Sequence, residues 1–538
     1  MSRNPVKALA RTLLPAESPT GTAVRKIALR QGWICGNPHQ QGYLRYIAAV
    51  EPYVFYPPLK TSHIEEIPLF SVIIACFNTP DRYLQPLLDS LHSQSFTDWE
   101  VIVVDASTDE DASARILARS RDDDRCVYVR ADKNRGVLDG TNHGLQHARG
   151  KYVVFVGQCD TLSLHALNEM AIAIEDNPSI DILYSDEDQL SEDGRTRQTP
   201  VFKPAWSPHL FFHFNYTNHL SVIRRELVEA VDGIRPSFTG AWDYDLLLRI
   251  HGLNREIRVH HIPKVLYHSR MVHDSPGRSA DAVESGRVAV NEYMACVGLE
   301  GGGVENIAGH PGWYRPHPRR KAAVDVVIWV SDNPRLNSHY ARLLESRTES
   351  SWAVPRFICA ESQTSAKDIL RTVSETFILI RQPVLPTYLW WLDELVGATA
   401  LPGTAMVAPL ITSLTGETVV CAGMVRDPAK PTSELMRLYK GALTNSDSED
   451  IIGPASISRT VDGLSTAVLV SRGPIADIDT VLAGEYVDGS SVDGLLAVWA
   501  NVECRVLPLP DRDGALNANI AIGEGETVLR CASKGGEL

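Results

Sequence analysis

No stretch of this chain approaches the roughly 18 apolar residues that span a bilayer, so no membrane-crossing helix is expected. No apolar core follows the first basic residues, which argues against a secretory leader. No Cys-x-x-Cys pair occurs. The nine cysteines (Cys35, Cys76, Cys126, Cys159, Cys296, Cys359, Cys421, Cys504, Cys531) are scattered and odd in number, so neither a zinc site nor a disulfide framework is expected. A reducing, cytoplasmic compartment fits that usage. Positive charge is in deficit. A net charge of -14 leaves no field to gather phosphates, which excludes nucleic acid as a general partner. What remains is ordinary globular composition, 44% hydrophobic and 22% charged, in 538 residues, enough for two to four cores.

The chain divides by pattern into a helical extension (1–65), a first α/β domain (66–299), a linker rich in glycine and proline (300–322) and a second domain (323–538). In the extension, Asn4 to Arg30 mixes apolar and basic residues, which would suit an anionic membrane surface. Pro15 and Pro19 interrupt that pattern and favour a short helix packed on the next domain. From Phe70 onward, apolar runs alternate with helical periods: Phe70 to Ala75, Trp99 to Val104, Cys126 to Arg130, Tyr152 to Val156 and Ile180 to Ser185. Continuous rather than alternating apolar strands are buried on both faces, as in a doubly wound, mostly parallel sheet with ligands at the C-terminal strand ends. A helix is expected near Asn142 to Arg149.

Those strand ends are polar: Phe77-Asn78, Asp105 to Asp109, Gly157 to Asp160, and Asp186-Glu187-Asp188. Singly, such residues read as turn formers and helix caps. Four in succession suggest a ligand rich in hydroxyls, or a divalent cation. The run Gly240-Ala241-Trp242-Asp243-Tyr244-Asp245 sets two carboxylates before an apolar helical stretch. Asp245 is expected to serve the helix start, leaving Asp243 free to point into a cleft as a general base.

Taken in order, these elements, with Asn134-Arg135-Gly136, Tyr184 to Asp188, Phe202 to Pro208 and Ile262 to Arg270, closely resemble a family 2 glycosyltransferase of GT-A fold over residues 66 to 275. The form Tyr-Ser-Asp-Glu-Asp resembles a bacterial subgroup associated with O-antigen, capsule and similar surface polysaccharides. The resemblance implies a nucleotide-sugar pocket drawn from Phe77, Asn78, Asp105, Asn134, Asp160, Asp186, Asp188 and Arg270. Asp105 would accept from the base, and Asp243 would be the catalytic base of an inverting displacement. It implies a glycan or lipid-linked acceptor, peripheral contact with the inner face of a membrane, and partnership with other glycosyltransferases or a second copy. A divalent metal, Mn or Mg, would be held by Asp160 and His268. The family's Asp-x-Asp, however, is replaced by Gly157 and Cys159. Asp160 could hold the metal with Asp186, Asp188 or His268. Otherwise cationic side chains stabilise the leaving group, or catalysis is lost and the protein is a glycan- or nucleotide-binding partner of an active enzyme. A nucleotidyltransferase would need a glycine-rich loop that Cys76 to Arg82 lacks.

The second half echoes the first. Val324 to Val330, Trp352 to Ala360, Thr376 to Ile380 and Ser465 to Arg472 read as its strands. Cys504 to Pro508 is set against Val259 to Pro263, and Ser491 falls where Asp243 stands, with Asp493 for Asp245. With Arg381-Gln382-Pro383 at its fourth strand end and a serine as base, this half is expected to be a diverged duplicate without catalysis.

Overall fold

The computed structural model describes residues 38–49, 67–131, 136–253, 255–270, 279–299, 302–373, 375–416, 418–425, 436–437, 459–475, 477–484, 486–488, 492, 495–507, 518–523 and 526–531. The chain separates into two compact units. The first comprises Met1–Trp206, Asn215–Ala289 and His310–Gly312. The second comprises Ser207–Phe214, Val290–Gly309 and Trp313–Leu538.

In the first unit, β1 (Phe70–Cys76) and β2 (Trp99–Asp105) pair in parallel from Phe70 opposite Trp99 to Cys76 opposite Asp105. Every residue of β2 is buried, including Glu100, which is held by Ser71 Oγ and Arg149. The further strands are β3 (Cys126–Arg130), β4 (Tyr152–Phe155), β5 (Thr161–Leu162), β6 (Ile182–Leu190), β7 (Arg197–Val201), β8 (Ser221–Arg224) and β9 (Val259–Arg270). The sheet order is β3-β2-β1-β4-β8-β6-β9-β5, with β7 on β6. β8 runs antiparallel to both its neighbours, whereas β6 and β9 are parallel. The helix Asp81–His92 covers one face, burying Tyr83, Leu84, Leu87, Leu88 and Leu91. Each such leucine contributes about 1.5–3 kcal/mol of transfer free energy.

Three expectations need correction here. β6 does not stop at Ser185 but runs on through Asp186, Glu187 and Asp188, because β7 and β9 continue to pair with it. The helix expected near Asn142 to Arg149 spans Gly136–Leu145. The stretch 300–322 is not plain linker: Val304–Asn306 and Tyr314–Pro316 form an antiparallel pair, and Ala322 already opens a strand. Asn4 to Arg30 lies outside the described residues. The described part of the extension is the helix Pro38–Ala49, whose Tyr43 and Tyr46 pack edge-on against Phe202 at 6.4 and 5.8 Å.

The second unit repeats this plan. Its sheet reads Ala353–Cys359, Ala322–Ile328, Thr376–Ile380, Val468–Arg472, Thr404–Thr412, Leu495–Val506, Val384–Pro386. That is β2-β1-β4-β8-β6-β9-β5 strand for strand. Every parallel and antiparallel sense matches, and Val419–Cys421 stands in for β7. Both units are α/β, with the same strand order and the same strand senses. The counterpart of β9 begins at Leu495, so Cys504 lies near its far end and not at its start. Ser491 and Asp493 fall outside the described residues. Among the described residues, no helix is long and apolar enough to cross a membrane.

Candidate active site

β1 and β2 deliver Phe77, Asn78 and Asp105 to one sheet edge. Asn78 adopts a left-handed conformation (φ 48°), which asparagine tolerates better than most residues. Its Oδ1 accepts from the Thr108 and Asp109 amides at 3.0 and 2.9 Å, and its own amide donates to Ser107 Oγ at 2.9 Å. This ties the two strand ends together and leaves the Phe77 ring 43% exposed above them, an apolar platform beside polar groups. Asp105 faces inward. It accepts from the Ser107 amide at 2.9 Å, Tyr128 Oη at 2.8 Å, Arg130 Nη1 at 2.5 Å and the Ser113 hydroxyl. Burial alone would raise its pKa, but these donors, led by Ser107 and Ser113, hold it below the ordinary aspartate value. Asp105 has no exposed surface, and its donors tie the end of β2 to Ser113, Tyr128 and Arg130. Asn134 lies outside the described residues.

At the end of β4, Gln158 Oε1 accepts from the Phe77 amide at 2.8 Å and from Thr79 Oγ1 at 2.5 Å. Tyr267 donates to Asp160 Oδ2 at 2.5 Å, and the Arg270 amide donates to Asp160 Oδ1 at 2.7 Å. Arg270 donates through Nε to the Cys159 carbonyl at 2.8 Å, so its guanidinium backs this loop. His268 sits elsewhere. Its Nδ1 meets Asp188 Oδ1 at 2.6 Å. Successive strand residues point to opposite faces, so Tyr267 and His268 serve different neighbours, and Asp160 and His268 do not converge. Among the described residues no three His, Cys, Asp or Glu side chains cluster to hold a metal.

The acids of β6 also divide. Asp188 is fully buried and engaged by Tyr43 Oη at 2.5 Å, Arg197 Nε at 2.5 Å and His268. It anchors the helix Pro38–Ala49 through Tyr43. Asp186 accepts from the Lys203 amide and contacts His261 Nε2, both at 2.8 Å, which makes it a brace for the Phe202-Lys203-Pro204 segment. The residue between them is the one that faces the site. Glu187 contacts His219 Nδ1 at 3.1 Å and Lys203 Nζ at 3.8 Å. Lys203 is buried, and burial pulls its pKa down to about 8. Burial would also lower His219, but Glu187 outweighs it and raises the imidazole above its ordinary value. The His219 ring stacks on Tyr267 at 4.8 Å and 12°.

Asp243 sits in the first turn of the helix Trp242–His251. It is half-buried and accepts from Asn215 Nδ2 at 3.0 Å and from Asn218 Nδ2. Burial pushes its carboxyl above the usual value, while the charge of His219 pulls it back in part. Asp245 does not cap the helix: it is buried between Arg235 (Nε 3.1 Å) and Arg249 (Nε 2.9 Å) and pins the run in place. Glu187, His219, Asn215 and Asn218 were missed from sequence. The available signal was the period of two in Tyr184 to Asp188, which opposes Glu187 to its neighbours.

Residues 71–231 match the model of Glycosyl transferase family 2. The chain carries a family 2 glycosyltransferase domain. The matched segment holds the strand ends from Phe77 to Asp188, together with His219, and stops short of Asp243. The O-antigen biosynthesis protein RfbC of Myxococcus xanthus is 32% identical to this chain over 357 residues, covering 65% of the chain and 27% of RfbC. The uncharacterized protein y4gI of Sinorhizobium fredii is 30% identical over 54% of the chain and 34% of its own length. The chain therefore spans between 27% and 34% of the length of these relatives. The crystal structure of S. aureus TarS 1-349 in complex with UDP-GlcNAc is 24% identical, with a TM-score of 0.35, over 43% of this chain and 68% of that one.

Proposed function

We propose that the first unit is an inverting glycosyltransferase that moves a sugar from a nucleoside-diphosphate donor to a hydroxyl of a cell-surface glycan or its lipid-linked precursor. The observation that carries this reading is Asp243. It is a half-buried carboxylate with a raised pKa, oriented by two amide side chains, at the sheet edge where Phe77 and Asn78 offer a nucleotide platform. Asp243 takes the acceptor proton as that oxygen attacks the anomeric carbon. The bond to the diphosphate breaks on the opposite face with its electron pair, and the centre inverts through an oxocarbenium-like state. The printed name of the RfbC relative, an O-antigen biosynthesis protein, supports a surface-polysaccharide acceptor. The second unit serves as scaffold, acceptor-binding or dimerisation module.

The departure at Gly157 and Cys159 favours a second reading, an inactive partner that binds nucleotide or glycan. Asp243→Asn separates the two. Donor binding with transfer lost supports the first reading. A wild-type chain that turns over no nucleotide sugar supports the second.

A further inference from the structure

The end of β4 has no room for the missing acid. A Cβ added to Gly157 would lie 2.2 Å from Asp160 Oδ2 and 3.1 Å from its Cγ. Asp160 cannot yield easily, because one oxygen is held by Tyr267 and the other by the Arg270 amide. Cys159 does not supply what is lost. A thiol is a poor ligand for a hard cation, and burial pushes this one up to about 11, so it stays protonated near neutral pH. The donor set present does not fit a divalent cation.

The same place carries an imidazole that Glu187 biases toward its protonated form. Asn218 holds Asp243, and the next residue, His219, stacks on the tyrosine that holds Asp160. Its Nδ1 is anchored by Glu187 at 3.1 Å, while 38% of the side chain remains exposed. An imidazole fixed by a carboxylate on one side and a ring on the other needs little reorganisation to meet developing negative charge.

We propose that this site binds the diphosphate of its donor without a divalent cation, and that His219, positioned by Glu187 and Tyr267, supplies the positive charge facing the leaving diphosphate. The inference rests on the glycosyltransferase reading above. When the bond from anomeric carbon to phosphate oxygen breaks, the electron pair stays on the diphosphate, the proton of the acceptor goes to Asp243, and His219 pairs with the new charge.

The test is calorimetric titration of the full chain with UDP, GDP and dTDP, in EDTA and in MnCl2. One of the three is expected to bind equally well in both. In His219→Gln its affinity should fall about ten-fold or more, the size of one charge-assisted hydrogen bond, while the matching nucleoside binds unchanged and shows that the variant is folded. His219→Arg should restore most of the loss. Diphosphate binding that vanishes in EDTA and returns with Mn²⁺ overturns the inference and leaves the glycosyltransferase reading standing. Diphosphate affinity unchanged in His219→Gln overturns the role of His219. A chain that binds no nucleotide under either condition overturns both readings.

Discussion

The two units share one sheet order and one set of strand senses, yet among the described residues their strand ends carry different side chains. In β6 of the first unit the sequence reads Tyr184-Ser185-Asp186-Glu187-Asp188, whereas its counterpart reads Val407-Ala408-Pro409-Leu410-Ile411, all buried. At the end of β4 the first unit offers Gly157, Gln158 and Asp160. The second offers Arg381, which donates to the Val481 and Gly484 carbonyls and to Thr466, and so closes the position with protein. A cavity of about 170 Å³ in the second unit lies at Met406, Ser471 and Arg472, near the start of the β6-like strand and away from the edge that carries the site in the first. Between the β8-like and β9-like strands the second unit has the helix Ile478–Ala483, where the first has both Arg225–Ala230 and Trp242–His251. The comparison teaches that the sheet is a neutral carrier. Function follows from which side chains are released from structural duty at its edge.

The sharpest way to break this contrast is Asp243→Asn. Transfer should fall about 10²–10⁴-fold, the worth of a general base, with nucleotide affinity kept. Stability should move the other way. Burial raises the Asp243 pKa, so the stability linked to its protonated form is present below the unfolded value and lost as pH rises through the folded one. At neutral pH the asparagine variant should therefore melt at the same or a higher temperature. Unchanged turnover would remove Asp243 from the mechanism.

Asp245→Ala should come next, leaving Arg235 and Arg249 without their buried partner at a cost of about 3 kcal/mol to the first unit. Denaturant melts followed on the first unit would show it, and a melt like wild type would mean that the pair does not pin the catalytic run. Gly157→Ala should cost about 1–3 kcal/mol, because the new methyl meets Asp160. It should also weaken nucleotide binding in titration, and an innocuous alanine would show that the strand end has slack. The pH profile of kcat/KM tests the base more gently. Asp243 works ionised and its pKa is raised, so activity should fall about ten-fold per unit below an acid limb placed above the ordinary aspartate value of 3.8. The smallest effect belongs to the second unit. Arg381→Ala should cost about 1 kcal/mol of stability and leave transfer unchanged, and a loss of transfer would end the view of that unit as non-catalytic.

Much of the fold was legible because buried parallel strands are written as largely apolar runs, as in Val101 to Val104 and Phe377 to Ile380. The repeat was legible for the same reason, except at Cys504, where a long strand had no internal mark to set its start. Asp243 and Phe77 stand out in the sequence as candidates, and the structure sets the first in the opening turn of the helix Trp242–His251 and leaves the second exposed past the end of β1. The site was misread at Asp188, since nothing near that residue announces Tyr43, its partner 145 positions away. It was misread at Glu187 because three adjacent acids look equivalent until a strand turns alternate ones to opposite faces. Asp245 reads as a helix cap in the sequence because Arg235, ten residues before it, lies on a different element, although Arg249 follows four residues on along the same helix.

By itself the sequence determined the strands, their repetition and the inventory of carboxylates, all of which are local properties of apolar period and residue type. Only the tertiary structure decided which carboxylates are spent. Asp105, Asp186, Asp188 and Asp245 are held by donors from other elements. Asp243 and Glu187 instead lie near His219 at the edge of the sheet, and Glu187 raises that histidine's pKa. Whether a charged side chain braces or reacts depends on burial and on the partners that folding brings to it, and neither is encoded within the few residues around it.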